Sequence, residues 1–375
     1  MPEKIKVLLI IATFDAGGAQ QQITELAVRL KDTEFEPVVI CLARGGALEK
    51  KLASAGVRCL VLGKKHKLDI STLFRLVKIF RRERPSVIHS YMFTSNLWAR
   101  LTAFFVKVRA VIISERAADH WKGPLHWVID RLLFNKTDLL IAVSKGVEAY
   151  YRDIEGIPAS SIKVIYNGCR FKDTPPGSRE EARKAAGLPA EGLLIGHFGR
   201  LVPFKNQSVT LEAFALFLKS YPGSNLVLAG DGPMEQTLRK RAAELNLTGR
   251  VIFSGNVCNI EDHYRSLDMF VFPTINEGLP NALLEAAVFG VPVIASDTEG
   301  NNEVVLDGET GLLLKNISPL ELSSRMKELA GNAALRAKLA LGAKERVRKV
   351  FDMEKNTGEI ISEYRRLIGK PRSII

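Results

Sequence analysis

Residues 276–297 read NEGLPNALLEAAVFGVPVIASD, a stretch that predicts a short helix followed directly by a buried strand. Pro280 suits the first helical position, because its missing N–H would have no partner there. Gly290 suits the position just past the last helical residue, and Pro292 prevents the helix from continuing. Residues 291–295 then read as a buried strand. A helix that runs straight into a buried strand is typical of parallel α/β sheets.

Strand-like runs alternate with helical patterns along all 375 residues, a length that predicts about two domains. A Pro-Pro-Gly break at residues 175–177 separates seven runs from six. We therefore predict an α/β chain with two Rossmann-like, doubly wound domains that face each other across a cleft. Ligands bind such sheets at the carboxyl ends of their strands. The thirteen runs are KVLLIIAT, EPVVICLA, VRCLVL, SVIHSY, AVIISE, DLLIAVS, KVIYNG, LLIGHFG, NLVLAG, VIFSG, MFVFPT, PVIASD and GLLL.

Domain boundaries follow from the same pattern. We expect a first domain over residues 1–172 and a second over residues 190–350. Residues 351–375 should form a C-terminal helix that packs back toward the first domain. The N-terminus begins a strand without a cleavage site, and no apolar run approaches the roughly 20 residues needed to span a bilayer. We therefore expect a cytoplasmic protein, peripheral at most to the inner face of the membrane.

The charge of the chain is concentrated in one stretch. Residues 44–116 contain sixteen Lys and Arg against four Asp and Glu, a net charge of +12 that equals the net charge of the whole chain. Such a patch indicates an anionic partner: lipid headgroups, a phosphorylated acceptor or nucleic acid. No helix-turn-helix, RNP or zinc pattern supports nucleic acid, so we expect none to bind. The four cysteines show no metal-ligand spacing.

The stretch LDISTLFRLVKIFRRER, within the basic region, predicts an amphipathic helix. It is either a crossover helix with a solvated basic face or a helix held against an anionic membrane surface. The nearby loop HWKGPLHW offers Trp121 and Trp127 as an interfacial anchor or as interdomain packing. The predicted apolar face comprises Ile70, Leu73, Val77 and Phe80, and the opposite face Arg75, Lys78 and Arg82.

Two glutamates stand out in the opening stretch. Glu285 shares a stripe with Asn281 on a helix that is otherwise apolar nearly all round, and Glu277 lies in the loop just before it. A buried carboxylate without partners costs several kcal/mol. Two interpretations remain open: a salt bridge within the domain, or a ligand whose hydroxyl groups occupy the carboxylates.

Two further loops suggest phosphate binding. After the first strand, Gly17 and Gly18 allow close approach of the backbone at a helix N-terminus, although many such turns are merely turns. In GRLVPFKNQS, Arg200 and Lys205 precede an apparent N-cap, Asn206. A forked donor and a flexible point charge together suit a diphosphate. Together with the glutamate pair, they predict a nucleotide-sugar pocket.

Four motifs in order, GRLVPFKN, AGDGP, EGLPNALLEA and PVIASD, resemble the C-terminal half of the family 4 retaining glycosyltransferases, which have the GT-B fold. Glu277 and Glu285 match the E-x7-E motif of that family. The Gly17-Gly18 turn, IHSY, AVSKGV and YNG resemble its N-terminal half. The resemblance covers nearly the whole chain and implies an acceptor-binding first domain and a donor-binding second domain.

The resemblance also implies roles for individual residues. Glu285 would bind the ribose hydroxyls and Glu277 the hydroxyls of the donor sugar. Arg200 and Lys205 would neutralise the leaving diphosphate, and the Gly17-Gly18 turn would close over it. The family needs no metal or cofactor, and the sequence contains no Asp-x-Asp motif. The further donor contacts implied are Gly278, Leu279, Asn281, Glu299, Gly300 and Asn301.

The sequence departs from the family at His89-Ser90-Tyr91, where His-x-His is common. The Tyr91 hydroxyl can donate and accept a hydrogen bond but carries no charge near pH 7. Either the sugar is held differently, or His120 or another group such as Arg116 contributes. His89, within the strand, is expected to be a buried, hydrogen-bonded histidine.

We therefore predict a retaining transfer of sugar from a nucleotide donor, with UDP favoured, to a lipid-linked or anionic glycan acceptor. The pathway would be the assembly of cell-surface polysaccharide or lipopolysaccharide. Double displacement would require a carboxylate nucleophile about 5 Å from a second acid, and no such pair is evident, which favours same-face substitution. The alternatives are a soluble enzyme with a small sugar or sugar-phosphate acceptor and, more remotely, a nucleic-acid-binding protein.

Overall fold

The computed structural model describes residues 4–15, 17–66, 69–170, 177–257 and 259–369. The chain divides into two compact units. The first comprises the described residues up to Gly168 together with those from Met353 onward, and the second those between Cys169 and Asp352. Pro175 and Pro176 of the predicted linker and the end of the predicted C-terminal helix lie outside the described residues.

In the first unit, the described residues form a seven-stranded sheet of order β3-β2-β1-β4-β5-β6-β7 with parallel neighbours throughout. Strand order reverses between β1 and β4, which creates a crevice at the carboxyl ends of these strands. The strands are β1 (Ile5–Ile11), β2 (Phe35–Cys41), β3 (Arg58–Val61), β4 (Val87–Tyr91), β5 (Ala110–Glu115), β6 (Leu139–Ala142) and β7 (Ile162–Val164).

Helices cover both faces of this sheet, because its strands are apolar on both sides. Ile23 and Leu26 belong to the core on one face, and Leu76, Phe80 and Trp98 to the core on the other. The helices are α1 (Gly18–Leu30), α2 (Ala47–Ser54), α3 (Ser71–Glu83), α4 (Met92–Ala103), α5 (Pro124–Phe134) and α6 (Lys145–Ala149).

The second unit repeats this architecture with a six-stranded parallel sheet of order β10-β9-β8-β11-β12-β13 in its described part. Its strands are β8 (Leu194–Phe198), β9 (Asn225–Ala229), β10 (Val251–Gly255), β11 (Met269–Phe272), β12 (Val293–Ser296) and β13 (Leu312–Leu314). Its helices are α7 (Arg179–Ala186), α8 (Gln207–Leu218), α9 (Glu235–Glu244), α10 (Ile260–Ser266), α11 (Asn281–Val288), α12 (Asn301–Val304), α13 (Pro319–Gly331) and α14 (Ala333–Val350).

The last helix, α15 (Met353–Gly369), belongs to the first unit. Its Ile361, Tyr364 and Leu367 are part of the core that also contains residues of β1 and α1. The Tyr364 hydroxyl lies 2.6 Å from Nδ1 of His89 in β4, so this helix is tied to the sheet by a buried polar contact as well.

The predicted fold class is confirmed: each of the thirteen predicted runs overlaps one of the strands, with β1, β2 and β7 beginning one residue before their runs, and both sheets are doubly wound. The opening stretch differs by one residue, since α11 begins at Asn281 and Pro280 is its N-cap. Gly290 has the positive φ of +67° expected after a helix C-terminus. That the two sheets enclose a cleft stays a prediction.

The predicted apolar face of α3 is wrong in one part. Ile70 precedes the helix and is 65% exposed, and Phe74 is 70% exposed, on the same side as the exposed cation Lys78. The helix buries Phe80, as predicted, and also Leu76, which was not part of the predicted face. The reason is that the helix begins one residue later than Ile70, so its inward stripe follows residues 72, 76, 80 and 83. Among the described residues, no helix is long and apolar enough to cross a bilayer.

Candidate active site

The predicted donor-site residues lie at the carboxyl edge of the second sheet. Strand order reverses between β8 and β11, so the loops that follow these strands flank the crevice where doubly wound sheets bind ligands. Arg200 and Lys205 lie in the loop after β8, and Glu277 lies in the loop after β11. The loop after β12 supplies Gly300. The structure thus brings together three loops that are far apart in sequence.

Lys205 and Glu277 form an ion pair with 2.5 Å between Nζ and Oε1. Both side chains are nearly buried, at 15% and 11% exposed. The Lys205 ammonium also lies 4.7 Å from the centre of the Phe272 ring, the last residue of β11. This packing fixes a cation beside a carboxylate at the mouth of the crevice.

Glu277 is further held by a chain of hydrogen bonds. Asn301, which is fully buried, donates from Nδ2 to the Thr274 hydroxyl at 3.1 Å, and Thr274 hydrogen-bonds to Glu277. Burial raises the pKa of the Glu277 carboxyl, while Lys205 and Thr274 act in the opposite direction. Asn301, predicted as a direct donor contact, therefore also positions the carboxylate through Thr274.

Glu285 lies on α11 and differs from Glu277 in its partners. Its Oε2 accepts a hydrogen bond from the Tyr264 hydroxyl at 3.0 Å, and within the described ranges it ion-pairs with no Lys or Arg. Burial raises its pKa to about 7 against the hydrogen bond from Tyr264. The salt-bridge interpretation therefore applies to Glu277 and not to Glu285, whose other oxygen remains available to a ligand hydroxyl.

Hydrogen bonds from the side chains of Gln207 and Asn206 hold the loop after β8 in place. The Gln207 side chain donates to the Arg200 carbonyl at 3.0 Å, and Asn206 has a φ of +61°. Asn206 is the N-cap of α8, as predicted, but its side chain forms no capping hydrogen bond; its Nδ2 donates to the Pro273 carbonyl at 3.1 Å instead. This bond ties the loops after β8 and β11 together. The Arg200 side chain is exposed and forms no ion pair with any described residue.

Gly300 allows the third loop to approach. Its φ is +80°, and a Cβ there would lie 2.5 Å from the Gly278 carbonyl oxygen and 2.7 Å from that of Glu277. Only glycine fits such a backbone contact without displacement. The other predicted donor contacts surround this point: Gly278 and Leu279 are buried, Asn281 is half-buried and Glu299 is exposed.

The remaining predicted residues belong to the first unit. Gly17 is the N-cap of α1, directly followed by Gly18, and the relation of this turn to the residues of the second unit stays a prediction. Tyr91 and Arg116 come together, with the guanidinium 5.7 Å from the centre of the tyrosine ring. His120 is exposed and packs on Tyr150, away from that pair.

His89 is the buried histidine that was expected. It is fully buried, and its two ring nitrogens lie 2.6 Å from the Tyr364 hydroxyl and 2.7 Å from the Ser114 hydroxyl. Burial, with a smaller contribution from the Arg116 charge, lowers the pKa of His89 to about 3, so the ring is neutral.

Sequence reasoning missed Tyr264 and Thr274. Tyr264 hydrogen-bonds to Glu285 and Thr274 to Glu277, yet neither lies in a motif with a recognisable spacing. The one available signal was position, because Thr274 closely follows β11 and residues there face the crevice.

The arrangement suits a polyhydroxylated, anionic ligand. Two buried carboxylates accept hydrogen bonds from hydroxyl groups, while Lys205 and the unpaired Arg200 supply positive charge for phosphate. No group of three or more His, Cys, Asp or Glu side chains that could hold a metal is found in the part of the chain described. A doubly wound pair of units with such a site defines the class of glycosyltransferases with the GT-B fold.

Comparison with known families agrees with this assignment to the glycosyltransferases. Residues 178–346 match the model of the glycosyl transferases group 1, and residues 16–171 match that of Glycosyltransferase Family 4. The chain is 32% identical over 249 residues to the lipopolysaccharide core biosynthesis mannosyltransferase LpsB of Rhizobium meliloti. These aligned residues make up 64% of this chain and 68% of LpsB. The chain belongs to this glycosyltransferase family.

Two further similarities cover nearly the full length. A Campylobacter jejuni N-acetylgalactosaminyltransferase, whose name specifies an undecaprenol diphosphate-linked acceptor, is 26% identical over 98% of this chain and 99% of its own. The structure of Anabaena HepE in complex with UDP and glucose has a TM-score of 0.86 at 21% identity and covers 96% of this chain and all of HepE. Of these proteins, LpsB is named for lipopolysaccharide core biosynthesis, and HepE shares the fold of this chain.

Proposed function

We propose that this glycosyltransferase moves a sugar from UDP to a lipid-linked or otherwise anionic glycan acceptor, with retention of configuration and without a metal. The single observation that carries the proposal is the ion pair of Lys205 with Glu277 beside Glu285, which has no cationic partner in the described chain. These groups match, in type and order, what a diphosphate, a sugar and a ribose require.

In this assignment, each part of the nucleotide-sugar donor is bound by at least one of the four residues. Arg200 and Lys205 bind the diphosphate, because Arg200 forms no ion pair in the part of the chain described and the Lys205 ammonium keeps two N–H groups beyond its bond to Glu277. Glu277 accepts from hydroxyls of the sugar, and Glu285 from hydroxyls of the ribose. The UDP bound in the HepE structure supports uracil as the base of the donor nucleotide.

The reaction follows from where charge develops. Cleavage of the bond between the anomeric carbon and the diphosphate oxygen leaves positive charge on the sugar and negative charge on the diphosphate. Lys205 and Arg200 stabilise the leaving group, and Glu277 lies on the side of the sugar. The acceptor hydroxyl bonds to the anomeric carbon on the face that the diphosphate leaves, and its proton passes to the departing phosphate oxygen. These fixed cations supply the charge that a metal would otherwise provide.

The acceptor assignment is supported by exposed apolar side chains on the first unit. Of fifteen exposed large apolar side chains among the described residues, eleven lie in this unit. Leu125, Val128 and Leu132 share one side of α5 and are 71%, 52% and 64% exposed. We call these three residues the α5 face.

Aromatic and basic residues extend the α5 face at both ends. Trp121, 59% exposed, precedes the helix, and Phe104, 51% exposed, lies 5.0 Å from the Lys136 ammonium just after it. The one acidic residue of the helix, Asp130, is buried. An apolar surface with a cation at one end and no exposed acid on the helix itself suits the interface of an anionic membrane. It therefore supports a lipid-linked acceptor over a small soluble one.

A ligand screen tests the donor assignment. UDP-, GDP- and ADP-sugars are added separately at one common concentration; a ligand present at 100 times its dissociation constant stabilises the protein by about 2.7 kcal/mol. We expect a rise in melting temperature with UDP-sugars that is lost in Glu285→Gln and retained in Glu309→Gln, an exposed carboxylate of the same unit.

Product analysis tests the stereochemistry. The anomeric configuration of the product is read by NMR after transfer in the presence and absence of EDTA. An inverted product, or activity abolished by EDTA, would overturn the mechanism; a response to GDP- or ADP-sugars alone would overturn the base.

A further inference from the structure

A cavity opens at the carboxyl edge of the first sheet, outside the donor site. It lies beside the crevice between β1 and β4, where the strand order of that sheet reverses. Its empty space is about 350 Å³ including the part open to solvent. The polar residues that line it are Gln22, Tyr91, Ser114, Arg116, Tyr166, Asn356 and Thr357.

Arg116 is the one charged residue of this lining. Among the described residues, none forms a hydrogen bond or ion pair with its guanidinium, and its Nη2 is buried without a partner. Its one close contact of note is the face of the Tyr91 ring, 5.7 Å away. The other lining residues are neutral, and His89 behind Tyr91 is neutral as well. The positive charge therefore faces no carboxylate.

Arg116 as a whole is half-buried, but a buried guanidinium nitrogen without a partner is unusual, because buried polar groups are normally hydrogen-bonded and buried charges paired. Burial lowers the pKa of Arg116 to about 10, which still leaves the group charged at neutral pH. Contact with an aromatic ring stabilises the cation but does not neutralise its charge. Water satisfies an N–H group but supplies no negative charge. The site is therefore electrostatically incomplete without an anion.

The surroundings of the cavity favour an anion further. Gln22 reaches it from the second turn of α1, whose first turn contains no acidic residue, so the positive end of the helix dipole lies nearby.

We propose that this cavity is a binding subsite for an oxyanion of the acceptor, a phosphate or a carboxylate, which pairs with Arg116. That the anion belongs to the acceptor rests on the proposed function; the subsite itself does not. Tyr91 and Thr357 place hydroxyl donors in the same lining, so the oxyanion gains hydrogen bonds as well as a counter-ion.

Calorimetric titration tests the subsite without any transfer assay. Inorganic pyrophosphate is titrated into the full-length protein with UDP present at saturation, so that the donor site is blocked. We expect Arg116→Gln to weaken binding at least tenfold, and Arg81→Gln, which removes an exposed arginine of α3, to change it less than twofold. Equal affinity in wild type and Arg116→Gln would overturn the proposal.

Thermal unfolding separates this role from a structural one. Because Arg116 makes no hydrogen bond or ion pair within the described residues, its replacement by glutamine should leave the melting temperature unchanged or raise it. A melting temperature several degrees lower would mean that Arg116 holds the fold together, and would contradict the proposal.

Two further arms identify the source of the anion and keep the two proposals distinguishable. Preference for pyrophosphate over glucuronate indicates a phosphate of a lipid-linked acceptor, and the reverse preference an acidic sugar. In transfer assays, Arg116→Gln should raise the KM for acceptor and leave the KM for UDP-sugar unchanged. If no UDP-sugar is used but Arg116-dependent anion binding persists, the proposed function fails and the subsite stands.

Discussion

Lys205 and Glu277 are 72 residues apart in sequence, yet Lys205 Nζ lies 2.5 Å from Glu277 Oε1. They meet because β8 and β11 are neighbours at the point where strand order reverses, so the loops after these strands share one edge of the sheet. In the absence of donor, each neutralises the other. A diphosphate that arrives beside Lys205 therefore meets a cation already oriented by Glu277, which limits reorganisation during the reaction.

Separating this pair should affect both stability and turnover. We expect Lys205→Met and Glu277→Gln each to lower the free energy of unfolding by roughly 3 kcal/mol, because each leaves a nearly buried charge unpaired. Turnover should fall about 100- to 1,000-fold in Lys205→Met, since a charge-stabilising donor at the leaving group is lost. Urea unfolding and transfer kinetics measure the two effects.

The double variant provides the control for that pair. Its loss of stability should be smaller than the sum of the single losses, because the two side chains interact directly. Lys219→Met, at the exposed end of α8, should change neither quantity. Strict additivity would show that the ion pair does not form in solution.

Glu285 should make stability depend on pH. Its pKa of about 7 in the folded chain lies above the ordinary 4.5, so the folded state keeps a proton that the unfolded state loses. The free energy of unfolding therefore falls as pH rises from about 4.5 to about 7, by on the order of 3 kcal/mol.

Replacing Glu285 by glutamine removes this titration. We expect Glu285→Gln to match wild type near pH 4.5, to be more stable by about 3 kcal/mol at pH 8, and to lose UDP binding. Thermal or urea unfolding across this pH range measures the difference, with Glu309→Gln as the control. A difference between wild type and Glu285→Gln that stays constant with pH would refute the proposed burial of the charged form.

Gly300 and Gly308 form a matched pair for testing close backbone packing. Both have positive φ, +80° and +72°, so alanine is strained at either position. A Cβ at Gly308 would meet nothing within 4 Å, whereas one at Gly300 would clash with the carbonyls of Glu277 and Gly278. We expect Gly308→Ala to lose about 1 kcal/mol with full activity, and Gly300→Ala to lose more and to be severely impaired in transfer. Comparable transfer activities of Gly300→Ala and Gly308→Ala would mean that the loop after β12 shifts to accommodate the added Cβ without displacing Glu277.

The α5 face should govern binding to anionic vesicles. We expect Leu125→Glu to reduce co-sedimentation with vesicles of anionic phospholipid about tenfold or more, because it removes exposed apolar area and adds a charge of the wrong sign. Leu320→Glu is the matched control, since Leu320 is 74% exposed in the second unit and Leu125 is 71% exposed in the first. Equal loss in both variants would indicate a general charge effect, and no loss in either would place membrane contact elsewhere.

Much of the fold follows from local patterns in the sequence. Apolar runs of four to eight residues, such as those of β1 and β2, are determined by side chains that bury on both faces of a parallel sheet. Gly290 after α11 follows from the conformational freedom of glycine. The exposure of Ile70 did not follow from the sequence pattern. The helix begins one residue after Ile70, so this side chain lies before the helix and is exposed.

The candidate site was predictable in part for the same reason. Arg200, Lys205, Glu277 and Glu285 lie in motifs, and residues at strand ends converge in a doubly wound sheet. Their partners did not follow from sequence, since a hydrogen bond such as that from Tyr264 to Glu285 depends on packing between elements 21 residues apart. Similarly, the buried Lys122, which contacts Asp130 and Glu155 at 2.9 Å each, gave no sign of its burial.

The sequence by itself determined the succession of strands and helices, the two doubly wound sheets and the identity of the motif residues, because these depend on local conformational preference and on periodic burial. Only the tertiary structure decided that, among the described residues, Glu277 has a cationic partner while Glu285 has none, and that one guanidinium nitrogen of the half-buried Arg116 is buried without a partner. The physical reason is that ion pairing and desolvation are set by distances of a few ångströms between residues far apart along the chain, which no local pattern encodes.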